Sequence, residues 1–253
     1  MFWTCNYCKI ENESEWGALE REGPSCMKCG SSVRQRQLRR VIDAVVLELP
    51  KYWIRKPRAL GLSDAPIVQD YLQSKRSIRY KNTFFDQPPR LDITSPAKRY
   101  LGKLDLLISS DVLEHVFYPV SRALSGHRAL LKNGGTLVLT VPYTIGEANQ
   151  EHYPWMVSYL PLQLESGRWV VIGKDVEGNI HQISNPIFHG GPGNTLEMRL
   201  LSLEYLIEVL SNQGFDDITL HSEDVPADGI RIQLAVITAK ASNNALRQNH
   251  SLV

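Results

Sequence analysis

The sequence predicts an α/β protein: a doubly wound, mostly parallel sheet with a small Cys-rich module in front and a β-hairpin-containing insertion near the end. Three observations carry this. Short apolar runs alternate with helical segments from about residue 58 onward. Two of those runs, LDLLIS at 104–109 and TLVLTV at 136–141, are nearly continuous, as in strands buried on both faces. All 4 cysteines of the 253-residue chain lie within its first 29 residues.

Cys5, Cys8, Cys26 and Cys29 form two CxxC pairs 17 residues apart. Two residues between thiolates let one tight turn present both to a single ion, and two such turns complete a tetrahedral set. The expectation is a structural Zn²⁺ in a module spanning 1–30, which is too small to hold together by its own core. A linking helix over 31–57 follows, with apolar residues at Val33, Leu38, Val41, Ile42, Val45, Val46 and Leu49, and with Pro50 and Pro57 at its end. The basic run of Arg34, Arg36, Arg39 and Arg40 reads as the solvated face of that helix. A phosphate or RNA patch is disfavoured by the charge balance, 28 Lys+Arg against 27 Asp+Glu for a net +1.

The main domain is expected over 58–241. ALGL at 59–62 is a strand, 66–75 a short helix opened by Pro66, and IRYKNTFF at 78–85 the next strand. After LDLLIS comes a helix over 119–132, stopped by Asn133-Gly134-Gly135, and then TLVLTV closed by Pro142. The insertion, 143–198, breaks the rhythm. WVVIGKDVEGNIHQI at 169–183 reads as a hairpin turning near Glu177-Gly178-Asn179, and HGGPGN at 189–194 as a loop. The rhythm resumes with a helix over 202–213 ended by Gly214, then DITLH and RIQLAVITA as late strands. Residues 242–253 read as a disordered polar tail. No apolar run is long enough to span a bilayer, and the first residues lack the order of a signal peptide. These features place the chain in the cytoplasm, without membrane insertion.

In open α/β sheets, ligands sit beyond the carboxyl ends of the strands. The cluster after LDLLIS, with Asp111, Glu114 and His115, falls at that edge. Helix capping is the competing role for its acids. DLLISSDVLEHV, followed 13 residues later by LLKNGGTLVLTVPY, closely resembles class I S-adenosylmethionine-dependent methyltransferases. The resemblance covers roughly 58–143 and 200–240 and implies a seven-stranded sheet that binds S-adenosylmethionine. It places Asp92 and Ile93 at the adenine, and Ser110, Asp111, Glu114 and His115 around the methionine part. Asp86 matches the acid that meets the ribose, with a turn before Pro88-Pro89 as its other role. The Gly-rich loop of that family is replaced by ALGLSDAP, which has one glycine. Gly61 there offers close backbone approach, and Asp64 an acceptor for the cofactor's amino group.

The resemblance also places substrate-shaping insertions where 143–198 lies. Tyr143, Glu151, His152 and His189 fall there, with Trp155, Trp169 and His181, a mix of rings and polar groups suited to a saccharide or other small polar acceptor. O-methylation needs a base for the acceptor's proton, and His152 or His115 suits that task. An RNA methyltransferase and a non-catalytic interaction protein are the alternative readings. The balanced charge speaks against nucleic acid, and the sequence leaves oligomeric state open.

Overall fold

The computed structural model describes residues 1–50, 55–191 and 193–242. Its centre is a mixed sheet flanked by two helices on each face. The Cys-rich module opens the chain with a minimal hairpin, β1 (Phe2–Thr4) and β2 (Glu11–Glu13). Helix α1 (Val33–Glu48) starts at a capping box: the Ser32 side chain accepts from the Gln35 backbone N–H, and the Gln35 side chain accepts from the Ser32 N–H. Strand β3 (Arg58–Leu62), helix α2 (Pro66–Ser74) and strand β4 (Arg79–Thr83) follow. Then come β5 (Leu104–Ser110), α3 (Val120–Leu130) and β6 (Leu131–Thr140).

The insertion holds short strands β7 (Tyr143–Thr144) and β8 (Gln150–Glu151) and an antiparallel meander, β9 (Met156–Gln163), β10 (Trp169–Asp175) and β11 (Ile180–Ile183). It ends with β12 (Phe188–His189), β13 (Thr195–Leu196) and β14 (Arg199–Ser202), the last pairing with both β7 and β8. Helix α4 (Leu203–Asn212) and strands β15 (Phe215–His221) and β16 (Val236–Ala241) complete the sheet.

The main sheet runs β15-β16-β6-β5-β3-β4, with β4, β3, β5 and β6 parallel and β16 antiparallel to both its neighbours. It is mostly parallel and doubly wound, as expected, but has six strands among the described residues rather than seven. Beyond β4, a lone parallel bridge joins Phe84 to Arg90. The intervening Pro88 and Pro89 have no N–H to give a ladder, so pairing stops after one bridge.

Strand alternation divides the core. Leu106, Ile108 and Val138 point toward α1 and α2; Leu107, Leu137 and Leu139 point toward α3 and α4. The expected helix stop at Asn133-Gly134-Gly135 is instead a bulge inside β6, where the register with β5 slips between Leu104 and Leu106 and Gly134 has φ 75°. The hairpin at 169–183 is present, with Gly178 at φ 93° in its turn. The tail beyond residue 242 and residues 51–54 of the linking segment lie outside the described residues. Among the described residues, no helix is long and apolar enough to cross a membrane.

Of the basic run of α1, Arg40 is solvated as expected, with 55% of its side chain exposed, but the other three arginines pack inward. Arg36 is fully buried, stacked 4.1 Å over the Trp3 ring and donating to the Ser31 and Gly229 carbonyls. Arg39 stacks on Tyr71 at 3.8 Å, and Arg34 turns toward the sheet edge. These residues join the Cys-rich module to the sheet, which a periodicity reading cannot register.

Candidate functional site

The four cysteines converge. Their sulfurs lie within 4.8 Å of one another, with Cys5 to Cys29 and Cys8 to Cys26 each at 3.5 Å. A four-thiolate zinc set at ~2.3 Å per bond places its sulfurs about 3.8 Å apart, so this arrangement fits one ion. It does not fit disulfides, whose S–S bond is ~2.05 Å. The two turns repeat one design: the Lys9 and Gly30 amides each donate to the first cysteine's carbonyl of their turn, and both residues have positive φ, 62° and 70°. Ser31 Oγ lies 3.3 Å from Cys5 Sγ.

The loop between these turns reaches the carboxyl edge of the sheet. Arg21 donates to Asp111 Oδ1 at 2.5 Å, and Arg34 lies 3.1 Å from Asp111 Oδ2 and donates to Ser110 Oγ at 2.7 Å. Thr140, at the end of β6, donates to the same Asp111 carboxylate at 2.9 Å. Burial alone would raise the Asp111 carboxyl; the two guanidinium groups outweigh it and hold the group below its usual range. Asp111 and Ser110 thus stand where the strand-end rule placed them. Their partners, Arg21 and Arg34, were missed, because no local pattern connects the cysteine loop to β5.

Asp64 follows β3 at the same edge and is buried. Its Oδ2 accepts from Tyr80 Oη at 2.7 Å, while its Oδ1 has no partner. Burial pushes the carboxyl up to about 7, against the opposing pull of the Tyr80 hydrogen bond and Arg34. The open approach expected at Gly61 is not there: a Cβ at that position would stand 2.0 Å from Asp64 Oδ2 and 2.4 Å from Tyr80 Oη. Asp64 itself fills the space that a Gly-rich loop would leave free. Asp86 is exposed before Pro88. Asp92 Oδ1 accepts from both Thr94 N and Thr94 Oγ1, closing its own turn, and Ile93 is buried with its carbonyl against Gly126 of α3.

Glu114 and His115 sit in a 3-10 turn, Leu113–His115, to which the insertion is laced residue by residue. Arg199 donates to the Leu113 carbonyl at 2.5 Å, Met198 N to the Glu114 carbonyl at 2.7 Å, and His115 Nδ1 lies 2.9 Å from the Leu196 carbonyl. Glu197 binds two imidazoles, His152 Nε2 at 3.0 Å and His189 Nε2 at 2.7 Å. The structure therefore gathers His115, His152 and His189, which are far apart in sequence, into one cluster around Glu197 and Glu114. Glu197 was not foreseen; its only signal is its place just after the Gly-rich HGGPGN loop.

No family model and no curated protein matches the chain. Solved structures do. The chain is similar to the SeMet-substituted CurJ carbon methyltransferase, with 18% identity over 84% of this chain and 56% of that one and a TM-score of 0.47. It is also similar to the citrinin polyketide synthase CMeT domain, with 12% identity, 84% and 54% coverage and a TM-score of 0.49. A third is CalS10, an amino pentose methyltransferase from Micromonospora echinaspora, with 14% identity, 84% and 93% coverage and a TM-score of 0.48. The chain spans little more than half the length of the first two.

Two expected acceptor contacts are turned to structural use. Tyr143 is buried, its hydroxyl accepting from Ala235 N at 2.9 Å. Glu151 accepts from Arg199 Nε at 3.0 and 2.9 Å through its two oxygens, which fixes the fully buried Arg199 beneath the Leu113 turn. His152 keeps about a quarter of its side chain exposed, at 23%, and His189 about a third, at 32%. The sheet edge thus sets two guanidinium groups on the half-buried Asp111 carboxylate and holds the buried Asp64 through Tyr80. Beside it, the insertion supplies imidazoles oriented by Glu197.

Proposed function

We propose that the chain is an S-adenosylmethionine-dependent methyltransferase acting on a saccharide or other small polar acceptor. In this division, residues 1–30 form a zinc module and 58–241 the transferase domain. One observation carries the reading. At the carboxyl edge of β3 and β5, the buried Asp64 Oδ1 has no partner and feels the charge of Arg34, which with Arg21 holds Asp111. That set complements a zwitterion: carboxylates for an ammonium group, guanidinium groups for a carboxylate. The methionine end of S-adenosylmethionine is such a zwitterion, and LDIT, SDVLEHV and KNGGTLVLTVPY supply the accompanying motif match.

Bound S-adenosylmethionine would supply an activated methyl group on sulfur. Asp64 and Asp111 would hold its amino group, and Arg34 and Arg21 its carboxylate. Asp92 and Ile93 would meet the adenine and Asp86 the ribose, as the family resemblance implies. The protein's further task is to align the acceptor and remove its proton. This chain's own part would be to take the acceptor's hydroxyl proton onto an imidazole. His152 is the stronger choice for that role, because Glu197 orients its ring while part of it stays exposed. His115 is mostly buried and is held by the Leu196 carbonyl.

The test is methyl transfer from labelled S-adenosylmethionine to a panel of monosaccharides, nucleotide sugars and bulk ribosomal RNA. The expected result is label in at least one sugar and none in RNA, with His152→Ala slowed about 10²–10⁴-fold. Label in RNA alone would overturn the acceptor class. Equal turnover by His152→Ala would overturn the base.

A further inference from the structure

The strongest unexplained feature is Glu114. Its side chain is 1% exposed, and neither of its carboxylate oxygens has a hydrogen-bond partner. The neighbouring cations, Arg21 and Arg34, are directed at Asp111 instead. A buried, unpaired carboxylate costs several kcal/mol unless something positive sits beside it.

What faces it is specific. His115 Nε2 lies 3.8 Å and His189 Nδ1 4.0 Å from the same oxygen, Glu114 Oε1. All three groups can bring one ligand atom within 4.8 Å of the others. The outer nitrogens fix the tautomers. His115 Nδ1 meets the Leu196 carbonyl, which only accepts, so Nδ1 carries the hydrogen and Nε2 presents a lone pair. His189 Nε2 meets the Glu197 carboxylate at 2.7 Å, so Nε2 carries the hydrogen and Nδ1 presents its lone pair. Two imidazole lone pairs and an oxygen of the Glu114 carboxyl then converge at separations too long for hydrogen bonds. The two rings stand nearly perpendicular, at 86°, with centroids 5.0 Å apart.

We propose that Glu114, His115 and His189 bind a divalent transition-metal ion, distinct from the ion of the four-cysteine module. The outer hydrogen bonds to Leu196 and Glu197 are the supporting contacts that ligating histidines regularly make. Two imidazoles and one carboxylate select zinc, cobalt, iron or manganese over magnesium or calcium. Tetrahedral ligation at ~2.1 Å would bring the ligand atoms to about 3.4 Å, so each of the two imidazole nitrogens would move about half an ångström closer to Glu114 Oε1. Three protein ligands leave a position open, and His189 is the most exposed of the three. The ion's open side would take a hydroxyl-bearing or carboxylate ligand from the insertion side. Glu197 is a positioning residue: it holds the His189 tautomer and touches no metal. Binding of the ion alone does not rest on the methyl-transfer reading, so either can fail without the other.

The experiment uses the full chain with zinc already in the cysteine module, titrated anaerobically with Co²⁺. Metal content is measured by mass spectrometry, cobalt by its visible absorption. The expected result for the wild type is one cobalt added per chain to the retained zinc, with visible bands but no thiolate-to-cobalt charge transfer. His189→Asn and Glu114→Gln, checked for folding by circular dichroism, lose that cobalt and keep the zinc. Glu197→Gln binds it about 10–100-fold more weakly, the usual effect of a supporting contact. Wild-type protein that takes up no cobalt, or takes it only with thiolate charge transfer as zinc leaves, overturns the proposal whatever the variants do. So does a folded His189→Asn that binds cobalt as the wild type does.

Discussion

At the scale of single residues, the sheet edge is governed by how burial treats charge. Asp64 is held near 7 by desolvation, so in the free protein it is largely protonated in mildly acid solution. If its ionised form receives the cofactor's amino group, affinity should rise up to tenfold per pH unit below about 7 and level off above it. Calorimetry across pH checks this, and Asp64→Asn should flatten the profile. His127 gives the opposite stability term. It is fully buried between the Ala123 carbonyl and Ser109 Oγ, and burial lowers its pKa to about 4. The folded state resists the proton that the unfolded chain accepts from about 6.5 downward. The His127 contribution is therefore complete above 6.5 and lost as pH falls toward 4, by up to about 3 kcal/mol. Asp64 runs the other way, its raised carboxyl favouring the folded state as pH falls from 7 toward 4. Denaturant titrations of His127→Gln and Asp64→Asn should separate the two. Gly61→Ala should destabilise by about 1–3 kcal/mol, because its Cβ meets Asp64 and Tyr80. Chemical denaturation checks that value. Asp111, Glu114 and His115 were legible as strand-end residues. Arg21 was not, because its partner Asp111 lies 90 positions away and nothing periodic links them.

Among the elements, the cysteine turns and α1 act as one unit. Arg36 ties them together, donating to Ser31 beside the cysteines and to Gly229 before β16. Arg36→Ala would leave the Gly229 carbonyl buried and unpaired, strip one of the two donors from the Ser31 carbonyl, which keeps the Cys26 N–H, and uncover Trp3, a cost of about 2–3 kcal/mol. Chemical denaturation checks the size. With the four cysteines proposed to hold zinc, a strong chelator should unfold β1, β2 and the two turns, because so small a module buries little core of its own. Loss of the near-ultraviolet circular dichroism of Trp3, restored by zinc, is the expected signal. The cysteine spacing made this module legible from sequence alone. The periodicity of β3, β5 and β6 and the Glu177-Gly178-Asn179 turn made the sheet centre and the hairpin legible too. The lone bridge beyond β4 was not, because Pro88 and Pro89 remove donors from a segment whose other residues suit a strand.

Over the whole molecule, the N-terminal module serves the sheet edge as well as itself. Its inter-cysteine loop carries Arg21 to Asp111, while α1 carries Arg34 to Asp111 and Ser110. The insertion approaches the same edge through Leu196, Met198 and Arg199. Three segments distant in sequence thus meet at the ends of β3 and β5. Sequence could place those strand ends but not the two segments laid over them, since those contacts arise only when the chain is folded. The proposal that this edge binds S-adenosylmethionine through Asp64 and Arg34 is tested by calorimetric titration of S-adenosylmethionine into wild type, Asp64→Asn and Arg34→Met. Saturable one-to-one binding is expected of the wild type, weakened by about 1–3 kcal/mol, roughly 5- to 150-fold, in each folded variant. No binding by the wild type, or equal affinity in all three proteins, would contradict it.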